Sequence, residues 1–398
     1  KREKRDYKRF FKTVDKHLVF YSERSGFYKY FEGAIEWLLV HSDLRIHYVT
    51  NDANDQIFNL AETQPRIFPY YIGEKKAITL MMKMDADVVV ATLEDLDNFY
   101  IKRSYVRDDV NYIFMFHHMT STHLTPSEKA FDHYDALLCA GPHQIEEIRR
   151  AEKLRNLRPK TLVEYGYDLL DREIATYAAG RMTTDGRPTI LIAPSWQEDN
   201  ILDSCIDEML GQLLGHGYRI VVRPHPEYTK RYFARWDALR QRYGTVPEEE
   251  LLFESDFSSS DSIFAADVLV TDWSSISCEF SFATLKPTLF IDTPMKVGNA
   301  AWEGLGIEPT DISLRNQIGV SLAPSEMAHF GQAVDEMLAN APRWAQRITD
   351  VRGKLIFNIG HSASVAGQYI LDSVLAAQTK RKRGTVDRGA SARRETNK

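Results

Sequence analysis

Short, unbroken apolar runs alternate with helical stretches along most of the chain, and the whole alternation happens twice. The runs at 87–91 (Asp-Val-Val-Val-Ala), 112–116 (Tyr-Ile-Phe-Met-Phe), 189–193 (Thr-Ile-Leu-Ile-Ala) and 267–271 (Asp-Val-Leu-Val-Thr) do not interleave polar residues. A strand covered on both faces reads this way, and such strands belong to parallel sheets flanked by helices. In the first half, strands are predicted at 17–21, 45–50, 87–91, 112–116, 136–140 and 161–165, and helices at 30–40, 75–84 and 142–157. In the second half, strands are predicted at 189–193, 219–223, 251–254, 267–271 and 288–292. Helices there are predicted at 202–214, 230–243, 275–283, 325–339 and 361–376. The class is therefore α/β: two doubly wound Rossmann-like domains facing a cleft, with right-handed crossovers in each.

The boundaries follow from composition. A basic N-terminal segment at 1–16 precedes an N-terminal Rossmann-like domain at 17–180. A polar Gly/Pro-containing stretch at 181–188 opens a C-terminal Rossmann-like domain at 181–360. A C-terminal helix at 361–379 leads to a basic tail at 380–398, expected to be disordered. With 398 residues, two domains are the natural division. No apolar window reaches the roughly 18 residues that cross a bilayer, and no signal-peptide pattern is expected at the start. Cys139, Cys205 and Cys278 are far apart, which argues for a reducing compartment and against a disulfide framework or zinc cluster.

The net charge of −6 is unevenly spread: residues 1–16 carry +5 and residues 380–398 carry +6, leaving −17 for the body. Nucleic-acid binders usually place basic residues over a folded face, so no nucleic-acid partner is expected. The basic ends read either as solvated segments or as contacts to an anionic membrane surface. At 1–16, Tyr7, Phe10 and Phe11 interleave with the charges.

Ligands of open parallel sheets bind beyond the carboxyl ends of the strands, and four strand-end loops are rich in groups that handle phosphate. In Thr271-Asp272-Trp273-Ser274-Ser275, Ser274 or Ser275 is a natural N-cap, and the helix behind it offers N–H groups and a positive dipole end. Glu279, one turn on, has the reach for a ribose hydroxyl. In Arg223-Pro224-His225-Pro226, two prolines stiffen the backbone around a histidine, and the Arg offers a bidentate phosphate fork. In Ala193-Pro194-Ser195-Trp196-Gln197, Ser195 supplies a hydroxyl and Trp196 a wall. In the first half, Phe116-His117-His118-Met119-Thr120-Ser121-Thr122-His123 follows a strand. Its histidines suggest a general base, or a metal site if Asp132 and His133 join them. The base is favoured, because metal ligation wants further acids or cysteines at matched spacing.

The order of these motifs resembles the CDP-glycerol glycerophosphotransferases, two-domain GT-B enzymes that build teichoic-acid-like polymers. The resemblance rests on His117, Pro194-Ser195-Trp196, Arg223-Pro224-His225-Pro226, Thr271-Asp272-Trp273-Ser274-Ser275 with Glu279, and Leu285 to Phe290. It spans about residues 110–300, and more loosely the whole chain. It implies transfer of glycerol phosphate, or a related polyol phosphate, from a CDP-activated donor to an acceptor hydroxyl, with release of CMP. It further implies His117 as base, His225 as partner of the donor phosphates, and a pyrophosphate at the Ser274–Ser275 helix start. The donor would be bound by Arg223, Ser195, Thr271, Asp272, Ser274, Ser275 and Glu279, without a cofactor or metal. The acceptor would be lipid-linked or a glycan, met at the cytoplasmic face of the membrane. The chain departs from the family in having Phe116-His117-His118 where Trp-His-Gly is usual, so His118 stands as a rival base. It also lacks the Gly-x-x-x-Lys that often follows. A glycosyltransferase using a nucleotide sugar, and a non-catalytic binding protein, would use the same architecture.

Overall fold

The computed structural model describes residues 1–180 and 186–395, so part of the stretch expected as a linker, 181–185, lies outside the described residues. The chain forms two compact units. One comprises residues 1–117, 126–169 and 357 onward; the other comprises 118–125 and 170–356. The division therefore falls after Leu169 instead of at 180, and the C-terminal helix belongs to the first unit.

The first unit is built on seven strands: β1 (Leu18–Ser22), β2 (Ile46–Thr50), β3 (Ile67–Tyr71), β4 (Val88–Ala91), β5 (Asn111–Met115), β6 (Ala136–Cys139) and β7 (Thr161–Glu164). Their spatial order is β3-β2-β1-β4-β5-β6-β7, every neighbouring pair parallel. Period-two alternation sends Val19, Tyr21, Val89 and Phe114 to one core and Leu18, Phe20, Val90 and Ile113 to the other. That double burial is why the strands carry no polar alternation. Chain order reverses between β1 and β4, which makes their carboxyl ends the switch point of this sheet.

Strand β3 has no counterpart among the predicted strands, because Pro69 interrupts its apolar run. It is an edge strand, the place in a sheet where a proline is tolerated. The basic N-terminal segment covers that edge as a helix, Arg2–Lys12. Asp6 is buried, and its Oδ2 accepts the Tyr71 N–H at 3.1 Å. Arg2, Arg5 and Arg9 surround its carboxylate. Phe10 is fully buried with its ring edge-on to Tyr70 at 5.2 Å, and Tyr7 and Phe11 pack against the same core. The interleaved aromatics thus serve the protein's own core.

The C-terminal helix runs Ser362–Glu395, through most of the stretch expected as a disordered tail. It packs on the helix Tyr28–His41. A Cβ at Gly367 would lie 2.3 Å from the Trp37 ring, so only glycine permits this approach.

The second unit repeats the design with six strands: β8 (Thr189–Ile192), β9 (Arg219–Val222), β10 (Leu251–Phe253), β11 (Val268–Thr271), β12 (Thr288–Ile291) and β13 (Gly319–Leu322). Their order is β10-β9-β8-β11-β12-β13, all parallel, with the switch point between β8 and β11. Edge strand β13 is the other strand not predicted. It begins at Gly319, where a Cβ would meet the Thr288 carbonyl oxygen at 1.6 Å.

Replacing Phe10 by Ala is expected to destabilise the first unit by about 3–5 kcal/mol. Urea unfolding followed by tryptophan fluorescence checks this, and an unchanged midpoint would show that the helix does not clasp the sheet.

Candidate active site

In the second unit, the three predicted loops leave β8, β9 and β11, neighbours around the switch point. The loops after β8 and β11 are held together through Asp272. Its Oδ1 accepts the N–H of Ser195 at 2.8 Å and of Trp273 at 2.7 Å. Thr271 donates its hydroxyl to the Ala193 carbonyl at 2.6 Å, so it ties β11 to β8 and is not open to a ligand. Asn200 donates to the Ser195 carbonyl at 2.7 Å while its Oδ1 caps the next helix by accepting from Leu202 N–H. Asp272 Oδ2 and Ser195 Oγ remain buried with no hydrogen-bond partner. Such atoms cost about 1–3 kcal/mol each unless satisfied, so a bound donor group would gain most there.

Arg315 secures the other side of the loop. It donates to the Asp272 carbonyl and to Asp292 Oδ1, both at 2.6 Å, and its guanidinium lies 4.0 Å from the Trp273 ring centre and 4.6 Å from that of Phe290. Trp273 in turn donates its indole N–H to the Thr293 carbonyl at 2.7 Å. A small pocket of about 30 Å³ opens among Thr120, Trp273, Ser274, Ser277 and Arg315. It has room for about one water-sized group, the size of a phosphate oxygen.

The helix Ile276–Thr284 begins here with Ser275 at the N-cap position. The Ser275 side chain makes no capping bond; Ser274 Oγ accepts the Ile276 N–H at 3.5 Å. Both hydroxyl-bearing residues are partly or fully exposed, as an anion site at a helix start requires. Glu279 stands in the first turn of this helix.

His225 is the N-cap of the short helix Pro226–Arg231. Its Nδ1 accepts the Glu227 N–H at 3.1 Å, which places the imidazole proton on Nε2 and makes that atom a donor. Burial, then the nearby Lys296 charge, push its pKa below the ordinary histidine value. The group is a neutral hydrogen-bond donor suited to a phosphate oxygen. Arg231 lies 4.8 Å and Lys296 5.8 Å from the Trp196 ring centre, so cations flank the expected wall. Arg223 differs from expectation. Its fork is engaged by Glu254 at 2.7 Å, the Ser259 carbonyl at 3.0 Å and Ser262 at 3.2 Å. A carboxylate of the protein itself occupies it, so it orders the loop after β10 in place of meeting an anion.

In the first unit, His117 follows β5 and ends the segment 1–117. Its Nε2 is 3.8 Å from Glu94 Oε1, and Phe27 and Tyr30 place their rings 5.5 and 5.8 Å from its own. His118 begins the stretch 118–125, which belongs to the second unit. There Ser121 N–H bonds Asp311 at 3.1 Å, His123 Nε2 lies 3.0 Å from the Ile307 carbonyl, and Asn299 donates to the His123 carbonyl at 2.9 Å. Gly298 lets this stretch approach closely, since a Cβ would fall 2.0 Å from the Thr125 oxygen. Of the further ligands a metal would need, Asp132 pairs with Arg155, at 2.7 Å for the longer bond. Among the described residues, no group of three or more His, Cys, Asp or Glu is disposed to hold a metal ion. The three cysteines are buried and unpaired.

Asn200, Asp292, Arg315 and Glu94 escape sequence reasoning. Asn200 had a legible signal, an Asn directly before an apolar helix start; the others lie in loops whose partners are far along the chain.

Two doubly wound parallel-sheet units, with polar candidate loops at the carboxyl edge of the second, define a GT-B-type architecture. The chain belongs to the CDP-glycerol:poly(glycerophosphate) glycerophosphotransferase family, whose sequence profile matches residues 9–295. It is 23% identical over 266 residues to the teichoic acid glycerol-phosphate primase of Bacillus subtilis (strain 168). That match spans 60% of this chain and 65% of the relative, just under two thirds of its length. A structure of a variant of the wall teichoic acid polymerase TagF superposes with a TM-score of 0.58 at 14% identity, over 92% of this chain and 90% of that one. A second TagF structure, soaked with CDPG, gives 0.57 at 14% identity over 94% of each chain. Sucrose-phosphate synthase from Thermosynechococcus elongatus gives 0.51 at 13% identity, over 91% of this chain and all of that one.

Replacing Arg315 by Ala removes two hydrogen bonds and the cation between Trp273 and Phe290. We expect the affinity for a nucleotide donor to fall about tenfold or more, since a bond to a charged group is worth about 1.5–3 kcal/mol, as calorimetric titration would measure. His225 is expected to stay neutral below the ordinary value of about 6.5. Long-range nitrogen–proton NMR during a pH titration reads this directly; a midpoint at or above that value contradicts the assignment.

Proposed function

We propose that the chain transfers glycerol phosphate, or a related polyol phosphate, from a CDP-activated donor to an acceptor hydroxyl, releasing CMP, in the synthesis of a teichoic-acid-like or capsular polymer. The observation that carries this reading is the set of buried, unsatisfied polar atoms, Asp272 Oδ2 and Ser195 Oγ, at the switch point of the second sheet, beside the Ser274–Ser275 helix start. The Ser195 hydroxyl can donate to a phosphate oxygen, and Asp272 Oδ2 can accept from a hydroxyl or amino group of the nucleoside, among loops already fixed in place.

In the reaction, the acceptor oxygen attacks the phosphorus that bears the glycerol. The bond from that phosphorus to the bridging oxygen breaks, and the electron pair leaves with CMP. His117 takes the hydroxyl proton, with Glu94 stabilising the imidazolium that results. Glu94 is close enough for this at 3.8 Å. His225 donates from Nε2 to a phosphate oxygen, and the N-terminus of the helix Ile276–Thr284 faces the diphosphate charge. Lys296, beside Trp196, adds positive charge in place of the engaged Arg223, while Arg231 on the same ring is paired with Glu227 at 3.1 Å. Turnover is expected to survive EDTA. Loss restored by magnesium would refute that.

Turnover with CDP-glycerol, followed by CMP release, tests the reaction. His117→Ala is expected to lower kcat about 10²–10⁴-fold, and His225→Ala about 10²–10³-fold. Unchanged rates in both would sink the site assignment. Binding of UDP-sugars with no binding of cytidine donors would instead favour a glycosyltransferase.

The acceptor is read as a lipid-linked or glycan hydroxyl, met by a peripheral protein at the cytoplasmic face of a membrane. Two surface features of the first unit support the membrane contact. The helix Arg2–Lys12 buries Asp6 and Phe10 and exposes Lys4, Arg5, Lys8, Arg9 and Lys12. Beyond Met82, whose carbonyl accepts the Tyr105 N–H at 2.9 Å, a loop exposes Phe99, Tyr100, Tyr105 and Val106. Cations with exposed aromatics suit an anionic lipid surface. The triple variant Lys4→Glu, Lys8→Glu, Lys12→Glu is expected to lose sedimentation with phosphatidylglycerol vesicles, at about 1 kcal/mol per charge removed. Equal sedimentation would refute the contact. Among the described residues, no helix is long and apolar enough to cross a membrane.

A further inference from the structure

The first sheet has its own switch point, between β1 and β4, and the reading above draws on β4 and its neighbour β5 but not on β1. Glu23 is the first residue after β1, and Thr92 the first after β4. The Thr92 hydroxyl donates to Glu23 Oε2 at 2.9 Å. The Glu23 carbonyl is fixed separately, by Asn51 Nδ2 at 3.2 Å. The segment that begins at Glu23 goes on to deliver Phe27 and Tyr30 to the His117 ring, and Glu94, two residues past Thr92, stands at His117 Nε2. Carboxyl ends of three adjacent strands thus carry Glu23, then Thr92 with Glu94, then His117.

Neighbouring strands are roughly 4.8 Å apart, so groups borne by β1 and β5 start about 10 Å apart at the backbone. Side chains reaching in from both strands leave room between them for a diol with a hydrogen bond to each of its hydroxyls. The charged and titratable groups that act on the Glu23 side are Arg24, Tyr21, Tyr48, Tyr134 and Glu94. Only Arg24 is cationic. Burial outweighs it and pushes the Glu23 pKa up to about 6. The carboxylate accepts its own backbone N–H as well as the Thr92 hydroxyl, and with about four lone-pair sites on its two oxygens it has capacity left for a substrate O–H.

The geometry points to Glu23 as a specificity-determining residue of the acceptor site: its carboxylate accepts a hydrogen bond from the hydroxyl next to the one that attacks, so the site selects a vicinal diol. This rests on the phosphotransfer reading only for the identity of the attacking group. Loss of the second hydroxyl removes that hydrogen bond, and a polar site discriminates by such a loss.

The test compares two probes that differ in that hydroxyl, glycerol 3-phosphate and 3-hydroxypropyl phosphate. Each is measured twice: by calorimetric binding without donor, and as acceptor with CDP-glycerol. The wild-type protein should prefer the diol by about tenfold or more, one well-placed hydrogen bond's worth. Glu23→Ala and Thr92→Val should reduce the preference toward unity by raising KM for the diol, with kcat for the monol little changed. Glu23→Gln, which keeps an acceptor oxygen, should restore part of it. Circular-dichroism melting establishes that each variant folds. Diol-selective binding by the wild type that Glu23→Ala abolishes, without turnover, would sustain the inference while refuting the phosphotransfer reading. Turnover whose diol preference survives Glu23→Ala would do the reverse. A wild type with no preference in either measurement overturns the inference.

Discussion

The second unit's site depends on one buried carboxylate. Asp272 holds the N–H of Ser195 and of Trp273 on a single oxygen, which joins the loop after β8 to the loop after β11 across the point where strand order reverses. Its backbone carbonyl receives Arg315, and Arg315 reaches on to Asp292 after β12. Three strand-end loops are thereby set before any ligand arrives. This is pre-organisation in the physical sense: the conformational cost of ordering the loops falls on folding, so less of it falls on binding. The unpaired oxygens left over, Asp272 Oδ2 and Ser195 Oγ, are the counterpart of that order.

The first unit solves a different problem. On the reading proposed above, it places the base at the end of β5 and presents a surface to the acceptor. The basic helix Arg2–Lys12 performs a structural task with one face, sealing edge strand β3 through Asp6 and Phe10, and leaves its cations outward. Compositional reasoning treats Phe10 and Lys8 alike; only packing separates the buried ring from the exposed ammonium. The same separation puts the interleaved aromatics of the segment against the core, while Tyr100 and Tyr105, from a loop the sequence did not single out, lie exposed.

Much of the architecture was legible because a parallel strand buried on both faces leaves an unbroken apolar run, as at Val88–Ala91 and Val268–Thr271. The strands that escaped, β3 and β13, are edge strands with Pro69 and Gly319, where one side of the ladder is open and burial is partial. The candidate loops were legible for the related reason that parallel sheets bind ligands at their carboxyl ends. Individual roles within those loops were less so. Thr271 and Arg223 carry suitable groups for a phosphate, yet a carbonyl and a carboxylate of the chain itself take them.

By itself, the sequence determined two doubly wound units, the candidate strand-end loops, and the family to which their motifs belong. Periodicity and local motif order are properties of neighbouring residues, so a linear reading reaches them. The tertiary structure alone decided which polar groups are spent and which remain, because hydrogen bonds pair residues far apart in the chain: Arg315 with Asp272, Thr92 with Glu23, Asn299 with His123. It also decided that 118–125 belongs to the second unit and the C-terminal helix to the first. Those assignments depend on close approach at Gly298 and Gly367, whose significance appears only when the other surface is in place.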